Sequence, residues 1–290
     1  MAKIVVLGAT GQLGTDLKSV FANEHQHNII GLDRNDVDAS SLNVLPQLAQ
    51  YADADYMINC IATTNVDGCE DTPQATFVLN SGFVVQLAQF CASNNIKLIH
   101  ISTDYVLDGM INAPYDEKAI ANPLNVYGLS KYAAELAVQR YCQQAFILRV
   151  ASLFGVAGAA GKGGNFVTTM LRLAVEKESW TVINDQFTCP THTLDVARAI
   201  SALINQQVTE YGVYNCVSSS SCSWFEFTQE ILRQTGHNPA KVQPISYKNY
   251  NFKALRPQYG MLDVRKLSHY YQMPSYQAAL GEYLKLKGLI

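Results

Sequence analysis

Short apolar runs that alternate with amphipathic stretches dominate the first half of the chain. The runs, which we expect to be strands, are Ile4–Gly8, Asn28–Asp33, Asp55–Ile61, Lys97–Ser102 and Ala145–Leu153. The stretches between them have helical periodicity and are Gln12–Asn23, Leu42–Tyr51, Pro73–Ser93 and Val126–Tyr141. Apolar strands separated by helices favour a parallel sheet that is covered on both faces. The pattern therefore predicts an α/β fold with a doubly wound parallel sheet of the Rossmann type.

After Leu153 this regular alternation ends. A glycine-rich loop, Gly155–Gly164, leads into elements of both types with fewer strand–helix units. We expect helices at Asn165–Lys177, Thr193–Asn205, Ser223–Gly236 and Tyr276–Leu286. We expect strands at Trp180–Ile183, Gly212–Val217 and Val242–Tyr247. The change predicts a second, smaller α/β lobe.

Charge and cysteine usage narrow the possible partners. The chain has 21 basic and 24 acidic residues, a net charge of −3 and no basic run, so nucleic acid is not an expected partner. No stretch approaches the roughly 18 unbroken apolar residues of a membrane span. The start reads as a first strand and not as a signal peptide, so we expect a cytoplasmic protein. The seven cysteines lack C-x-x-C spacing, which predicts reduced thiols and no metal site.

A glycine turn closes the first apolar run. Gly8, Gly11 and Gly14 stand where a strand gives way to a helix. Glycine permits a tight turn there and lets backbone N–H groups at the helix start, near Gln12 and Leu13, reach a pyrophosphate. The turn predicts a dinucleotide-binding site.

Residues at the end of the second apolar run, Asn28–Asp33, would bind the adenosine half of such a cofactor. Asp33 follows Gly14 by 19 residues and can accept hydrogen bonds from ribose hydroxyls, and Asp38 could reach the adenine. Asp33 favours NADH because a carboxylate repels a 2′-phosphate, whereas Arg34 could pair with that phosphate. NADPH and NADH therefore both stay open.

A second run, Gly155, Gly158 and Gly161, has the same spacing, but the helix expected after it begins only near Asn165. Such a helix cannot direct its N-terminus at phosphates held by the first turn, so we expect a mobile loop. We therefore predict a dinucleotide-binding domain at residues 1–153, to which 191–217 returns. The substrate-binding lobe is predicted at 154–190 and 218–290.

Tyr127 and Lys131 are the candidate acid and its partner. They are four residues apart on a predicted helix and so project from one face. A lysine cation nearby should lower the pKa of the tyrosine towards neutrality and suit it to general acid catalysis. Thr103 follows the fourth run, at the sheet edge where ligands bind in open α/β folds. Tyr283 and Lys287 share the spacing, but we expect them to be a solvated pair on a surface helix.

Other catalytic groups are not indicated. The chain has six histidines, none with a histidine partner four residues away, and we expect His100 and His192 to be structural. The nucleophile elbow, the Walker lysine and the H-E-x-x-H motif are all absent from the sequence.

Several blocks of this sequence resemble the extended short-chain dehydrogenase/reductases, and within them the dTDP-4-dehydrorhamnose reductase family. The blocks are Gly8–Gly14, Asn59–Ala62, Ser102–Gly109, Pro123–Lys131, Gly164–Val167, Asn184–Phe187, Pro190–Thr191, Arg256–Pro257 and Leu262–Asp263. Their combination spans nearly the whole chain, and the Ser-Thr-Asp-Tyr-Val and Pro-Leu-Asn-Val-Tyr-Gly blocks together are specific. The resemblance implies hydride transfer from a nicotinamide to C4 of a dTDP-4-keto-6-deoxyhexose.

The resemblance also implies roles for individual residues. Tyr127 would protonate the developing alkoxide, Lys131 would hold the nicotinamide ribose, and Thr103 would hydrogen-bond the sugar oxygen. Further cofactor contacts would come from Gly11, Gln12, Leu13, Asp33, Asp38, Ala39, Ile61, Ala62, Thr63 and Ser102. Substrate contacts would come from Asp104, Tyr105, Leu153, Asn165 and Arg256. Leu153 replaces a tryptophan that the family commonly places over the sugar ring, and Gly68 replaces a frequent basic residue, so the identity of the sugar stays open.

Two other functions remain possible at this point. An epimerase on the same scaffold would keep Tyr127 and Lys131, whereas a dehydratase would need an acidic residue where Tyr105 stands. A non-catalytic cofactor-binding subunit that regulates a partner enzyme is the second alternative. The resemblance implies a homodimer, and it leaves the nucleotide base, the stereochemistry at C4 and the metal requirement open.

Overall fold

The computed structural model describes residues 1–41, 43–158 and 164–290. The predicted helix start at Leu42 and the glycine at Gly161 lie outside these residues. The strands are β1 (Lys3–Leu7), β2 (Asn28–Leu32), β3 (Tyr56–Asn59), β4 (Lys97–Thr103), β5 (Ala145–Val150), β6 (Leu153–Phe154), β7 (Trp180–Ile183), β8 (Phe187–Thr188), β9 (Thr191–His192), β10 (Gly212–Asn215), β11 (Cys222–Ser223), β12 (Val242–Ile245) and β13 (Tyr259–Gly260). The α-helices are α1 (Gln12–Glu24), α2 (Leu45–Leu48), α3 (Val66–Asp71), α4 (Pro73–Phe77), α5 (Phe83–Ser93), α6 (Val126–Tyr141), α7 (Phe166–Glu176), α8 (Thr193–Asn205), α9 (Trp224–Gln234) and α10 (Tyr276–Leu286).

Six parallel strands form the main sheet in the order β10-β5-β4-β3-β1-β2. Alternate strand residues face opposite sides, so each strand contributes to two cores. On one side Val6 and Leu148 pack with residues of α1 and α8. On the other side Val5 and Ile147 pack with residues of α2, α5 and α6. A parallel sheet buried on both faces by helices is the doubly wound architecture, which confirms the predicted fold class.

The remaining strands form small sheets beside the main one. Their orders are β11-β8-β13, β12-β7 and β6-β9. A third core around Phe154, Phe227 and Tyr283 joins α7, α9 and α10 to these strands. This lobe lies at the side of the main sheet where β5 leads into β6. Its division from the dinucleotide-binding part stays a prediction, although β10 does join the main sheet.

Two predicted elements are interrupted. The expected strand Ala145–Leu153 breaks after Val150, because Ser152 takes a left-handed conformation (φ 44°) and its hydroxyl bonds that of Thr188 at 2.7 Å. The expected helix Pro73–Ser93 contains a π-helical turn, Val78–Gly82. Asn80, in that turn, makes side-chain hydrogen bonds that a regular helix would not need.

Among the described residues, the helix Pro73–Ser93 alone is long and apolar enough to cross a membrane, with a mean hydropathy of 1.3. Half of its apolar window is buried inside the protein. Phe83, Val84 and Leu87 of this helix belong to the core over the sheet. Its apolar character is therefore used in packing against the sheet.

Candidate active site

A cleft of about 390 Å³ lies at the carboxyl edge of the main sheet. It is bordered by the ends of β4 and β5 and by the first turns of α1, α6 and α9. Of the predicted site residues, it brings together Gly11, Gln12, Leu13, Gly14, Ile61, Ala62, Ser102, Thr103, Asp104, Tyr105, Tyr127, Lys131 and Leu153. A depression of about 580 Å³ lies at the opposite edge of the sheet and contains none of them.

The glycine turn is shaped for a phosphate group. Gly8 has φ +78°, and a Cβ atom at Gly14 would collide with the Gly8 carbonyl oxygen, so only glycine lets α1 begin this close to β1. Gly11 precedes α1 and supplies no side-chain cap. The first N–H groups of α1 are therefore open to an anion. Gln12 Oε1 is also buried without a hydrogen-bond partner among the described residues. This cradle fits the pyrophosphate of a dinucleotide.

The predicted ribose-binding residues lie beyond the cleft, at the end of β2. Asp33 Oδ1 accepts a hydrogen bond from the Asn35 N–H at 2.7 Å. Asp38 accepts from both the N–H and the hydroxyl of Ser40, and these bonds lower the pKa of Asp38. Arg34 is exposed and Ala39 is buried. Both carboxylates therefore order their own turn through Oδ1.

The loop after β3 is fixed by Asn80. Thr63 donates its N–H to Asn80 Oδ1 at 2.9 Å, and its carbonyl accepts from Asn80 Nδ2 at 3.2 Å. Asn80 Nδ2 also bonds the Ser130 hydroxyl on α6 at 3.0 Å. Thr63 does not line the cleft, whereas Ile61 and Ala62 do. Asn80 therefore ties the loop to the helix that carries Tyr127.

Tyr127 lies at the start of α6, against Tyr105, with their ring centroids 5.8 Å apart. Burial raises the pKa of Tyr127 well above its ordinary value, a neighbouring Thr103 hydroxyl lowers it, and Asp104 raises it further. The expected lowering by Lys131 is absent. Lys131 Nζ instead donates to the Ile101 carbonyl at 2.6 Å, and burial lowers its own pKa to about 8. The prediction of a pKa near neutrality was therefore wrong for the protein without cofactor.

Thr103 and Asp104 form a buried pair at the end of β4. The Thr103 hydroxyl donates to Asp104 Oδ1 at 3.0 Å and accepts from the Tyr105 N–H at 3.2 Å. Burial raises the pKa of Asp104 to about 7, against the opposing hydrogen bond from Thr103. The Asp104 carboxyl group thus changes charge close to neutral pH.

Asp104 should make the folded protein less stable as the pH rises. Its pKa rises from 3.8 to about 7 on folding, so the folded state binds the proton more tightly, and this advantage is lost between about pH 4 and pH 7. The amide of an Asp104→Asn variant does not titrate. We expect the variant to gain thermal stability over the wild type at about pH 8 relative to about pH 5.

Thermal unfolding at the two pH values measures this difference. Asp38→Asn is the control, because the pKa of that exposed carboxyl is lowered and its loss should bring no gain at the higher pH. Equal differences in melting temperature between Asp104→Asn and the wild type at both pH values would contradict the burial of a charge at Asp104.

Gly8 and the remaining predicted substrate residues do not line the cleft. Asn165 caps α7: its Oδ1 accepts from the Thr168 N–H, and its Nδ2 donates to the Gly155 carbonyl and the Tyr283 hydroxyl. Its amide oxygen and nitrogen are thus both engaged within the lobe, and its role as a substrate contact stays a prediction. Arg256 pairs with Asp67 at 2.8 Å. A hydrogen bond to Tyr105 connects it to a residue that lines the cleft.

The prediction that Tyr283 and Lys287 form a solvated surface pair is wrong. The Tyr283 side chain is fully buried and its ring packs on Phe154 and His192, while Lys287 is exposed. His192 belongs to one group of residues, with Asp195 and Glu282, whose ligand atoms are close enough to hold a metal ion. Arg198 already forms salt bridges with both of these carboxylates.

Trp224 and Ser152 line the cleft without having been predicted. Trp224 is the first residue of α9, and its ring lies 4.5 Å from that of Phe166 between centroids. It places an aromatic ring in the same cleft as Leu153. The Ser-x-x-Glu capping box of Ser223 and Glu226 marks the helix start in the sequence, but only the tertiary fold directs α9 at the cleft.

Comparison with known proteins identifies the family of the chain. The family described as the RmlD substrate binding domain matches residues 2–288. The dTDP-4-dehydrorhamnose reductase of Escherichia coli (strain K12) is 32% identical over 296 residues, which cover 97% of this chain and 96% of the relative. The dTDP-4-keto-6-deoxy-D-glucose reductase of Streptomyces niveus is 32% identical over 259 residues, 89% of this chain and 87% of the relative.

A solved structure agrees with these relatives. The dTDP-4-dehydrorhamnose reductase from Bacillus anthracis, crystallised in complex with NADP, superposes with a TM-score of 0.90 at 32% identity. The match covers 98% of this chain and 99% of that one. The resemblance seen in the sequence is thus confirmed, and the chain belongs to the RmlD substrate-binding-domain family of extended short-chain dehydrogenase/reductases.

Proposed function

We propose that this protein is an oxidoreductase that uses NADPH or NADH to reduce the 4-keto group of a nucleotide-activated 6-deoxysugar. The reaction we favour is that of a dTDP-4-dehydrorhamnose reductase in dTDP-L-rhamnose biosynthesis. One observation carries the proposal: Thr103, Tyr127 and Lys131 share a single cleft with the uncapped N-terminus of α1. The relatives and the NADP complex support it.

Tyr127 is the proposed acid. Tyr127 would give its phenolic proton to the oxygen that becomes the alcohol, while a bound reduced nicotinamide would supply the hydride. Because burial raises the pKa of Tyr127, the phenol is protonated at neutral pH and is ready to donate. The proton would return to Tyr127 from solvent through the open side of the cleft.

Thr103 and Asp104 are proposed to bind the reacting sugar oxygen together. In its charged form the Asp104 carboxylate accepts a hydrogen bond from the Thr103 hydroxyl, with the two oxygens 3.0 Å apart. In its protonated form Asp104 can donate to Thr103 and leave the Thr103 hydroxyl free to donate to the sugar. The pKa of about 7 at Asp104 makes both forms accessible. Tyr105, Leu153 and Trp224 supply the apolar walls of the cleft.

Asp33 and Arg34 should decide the choice between the two cofactors. We expect Asp33→Ala to weaken NADH binding by about tenfold, since a hydrogen bond to a charged group is lost, and to weaken NADPH less. Arg34→Ala is the matched variant and should weaken NADPH more than NADH. Fluorescence titration of both cofactors with both variants measures this, and equal losses of the two cofactors in Asp33→Ala would show that Asp33 does not contact the ribose.

The function is tested by the loss of absorbance at 340 nm when protein and reduced cofactor are mixed with freshly prepared dTDP-4-keto-6-deoxysugar. Rapid oxidation of cofactor, with the deoxysugar alcohol identified by mass spectrometry, is the expected result. Tight cofactor binding without oxidation would overturn the proposal and favour a regulatory subunit. A cytoplasmic homodimer is the setting that we propose for this activity.

A further inference from the structure

A buried chain of hydrogen bonds lies behind the cleft and ends at Lys131. Asn59 on β3 and His100 on β4 are paired in register, and His100 faces Lys131 on α6. Asn59, His100 and Lys131 are at most 1% exposed. Asn59 and His100 do not line the cleft, but each contacts a residue that does: Asn59 accepts from the Ile61 N–H, and His100 faces Lys131.

Asn59 determines which atom donates and which accepts in each of these hydrogen bonds. The Ile61 N–H donates to Asn59 Oδ1 at 3.0 Å, so the other side-chain atom of Asn59, which faces His100 Nδ1 at 3.1 Å, is its NH₂ group. An amide NH₂ only donates, so His100 Nδ1 is an acceptor and carries no proton. Burial lowers the pKa of His100 well below its ordinary value, and Lys131 lowers it further, so the ring is neutral. A neutral imidazole has one N–H, which is therefore on Nε2.

That N–H points at Lys131. His100 Nε2 lies 3.3 Å from Lys131 Nζ, and Nζ donates to the Ile101 carbonyl at 2.6 Å. An ammonium group has no lone pair to accept from Nε2–H, whereas a free amine has one. Every hydrogen bond of the chain is thus satisfied only when Lys131 is the free amine.

The other groups around Lys131 do not reverse this preference. Glu135, one turn further along α6, raises the pKa of Lys131, but its carboxylate is paired with Arg149 and accepts from Ser102. Cys60, after β3, also raises it, but burial keeps that thiol neutral by raising its own pKa to about 12. Tyr127, one turn earlier, is a neutral phenol. Burial therefore dominates and brings the pKa of Lys131 to about 8.

We propose that His100, oriented by Asn59, is a positioning residue that favours the free-amine form of Lys131 in the empty cleft, and that Lys131 takes up a proton when the dinucleotide binds. The phosphates of a dinucleotide are negative and its ribose hydroxyls accept hydrogen bonds, and both favour the ammonium form. At a pH above about 8, the pKa of Lys131 in the empty cleft, loading with cofactor therefore converts the amine to the cation. The inference rests on the proposed cofactor binding.

Calorimetric titration of the protein with NADPH at about pH 8.5 tests the proposal. Tris and Bicine differ in ionisation enthalpy, so proton uptake shows as a difference in the binding heat between the two buffers. Neither the adenine nor the 2′-phosphate changes its protonation at this pH. We expect an uptake on the order of one proton per cofactor in the wild type, and Kd should rise as the pH is raised above 8.

Three variants assign the proton. Lys131→Met should abolish the uptake. In His100→Gln the side-chain oxygen can accept from a Lys131 ammonium, so the proton is already present and the uptake should fall. Asn59→Asp reverses the direction of the hydrogen bonds. The new carboxylate accepts from His100 Nδ1–H, so the lone pair of Nε2 faces Lys131. This variant should again lower the uptake. His192→Gln is the control and should keep the wild-type uptake, because His192 is also buried but neither lines the cleft nor acts on the pKa of Lys131.

The outcomes separate the two proposals. No binding heat with NADPH or NADH would contradict the proposed function itself. Binding with the same heat in both buffers and a Kd independent of pH would overturn the proton uptake. Uptake that is unchanged in both His100→Gln and Asn59→Asp would overturn the role of His100. If one of these variants fails to fold, the other still decides, because each changes the same hydrogen-bond direction from a different strand.

Discussion

Replacement of Tyr127 by phenylalanine should lower turnover of the 4-keto sugar nucleotide by about 10²–10⁴-fold, the usual contribution of a positioned general acid. The hydroxyl is the only group that the change removes, and the half-buried ring keeps its contact with Tyr105. Cofactor binding should therefore be nearly unchanged. Steady-state oxidation of NADPH at 340 nm gives the turnover, and fluorescence titration gives the cofactor affinity.

Tyr132→Phe is the matched control. Tyr132 is on the same helix but does not line the cleft, so loss of its hydroxyl should leave turnover close to that of the wild type. Wild-type turnover in Tyr127→Phe, with an unchanged pH profile, would remove Tyr127 from its proposed role and direct attention to Thr103 as the proton donor.

The largest loss of stability is expected from Arg149→Met. Arg149 and Glu135 form a bidentate salt bridge, at 2.9 and 2.7 Å, in which their side chains are 4% and 0% exposed. Removal of the guanidinium leaves a buried carboxylate that, in the part of the chain the structure describes, keeps the Ser102 hydroxyl as its side-chain donor. We expect the free energy of unfolding to fall by about 3–5 kcal/mol, as for other buried pairs broken on one side. Urea denaturation of the protein without cofactor measures it.

An exposed pair provides the comparison. Arg172 and Glu176 are 60% and 48% exposed and four residues apart on α7, so Arg172→Met should cost no more than about 0.5 kcal/mol. The double variant Glu135→Leu/Arg149→Met should recover much of the lost stability, because it leaves no unpaired charge. If Arg149→Met costs as little as Arg172→Met, the carboxylate is not desolvated in the way that its burial indicates.

The main sheet could be predicted because its signals are local. Each strand is a short apolar run, and α1 follows its glycine turn at once, so five strands and the flanking helices could be placed to within a few residues. The cleft followed from topology, since residues after parallel strands meet at one edge. Ser152 and the π-helical turn at Val78–Gly82 could not be predicted, because they depend on partners distant in sequence.

The burial of Tyr283 is indicated by the periodicity of apolar residues along its helix. Tyr276, Ala279, Leu280, Tyr283 and Leu284 are all buried and recur with the spacing of a helix stripe that faces a core. Spacing to Lys287 suggested a surface pair, whereas the position of Tyr283 in this stripe indicates a core residue. Periodicity over the whole helix should outweigh a single pair of residues.

The charge states in the cleft could not be inferred from residue types. Tyr127 and Lys131 have the spacing that predicts mutual contact, yet Lys131 points at Ile101 and His100 instead. The sequence around Asp104 does not indicate that its carboxyl group is buried, but the fold buries it. Both outcomes depend on how strands and helices pack around the side chains, which sequence spacing does not contain.

The return of β10 to the main sheet bears on how the chain emerges from the ribosome. β5 lies between β4 and β10, and its Phe146 packs with Tyr214, a residue made much later in synthesis. Until α8 and β10 have been translated, β5 is an unpaired edge strand whose apolar side chains are exposed on one face of the sheet. Such an edge promotes association with other chains. We therefore expect a fragment cut at residue 153 to leave β5 exposed as an edge strand, and a nascent chain of that length to need protection.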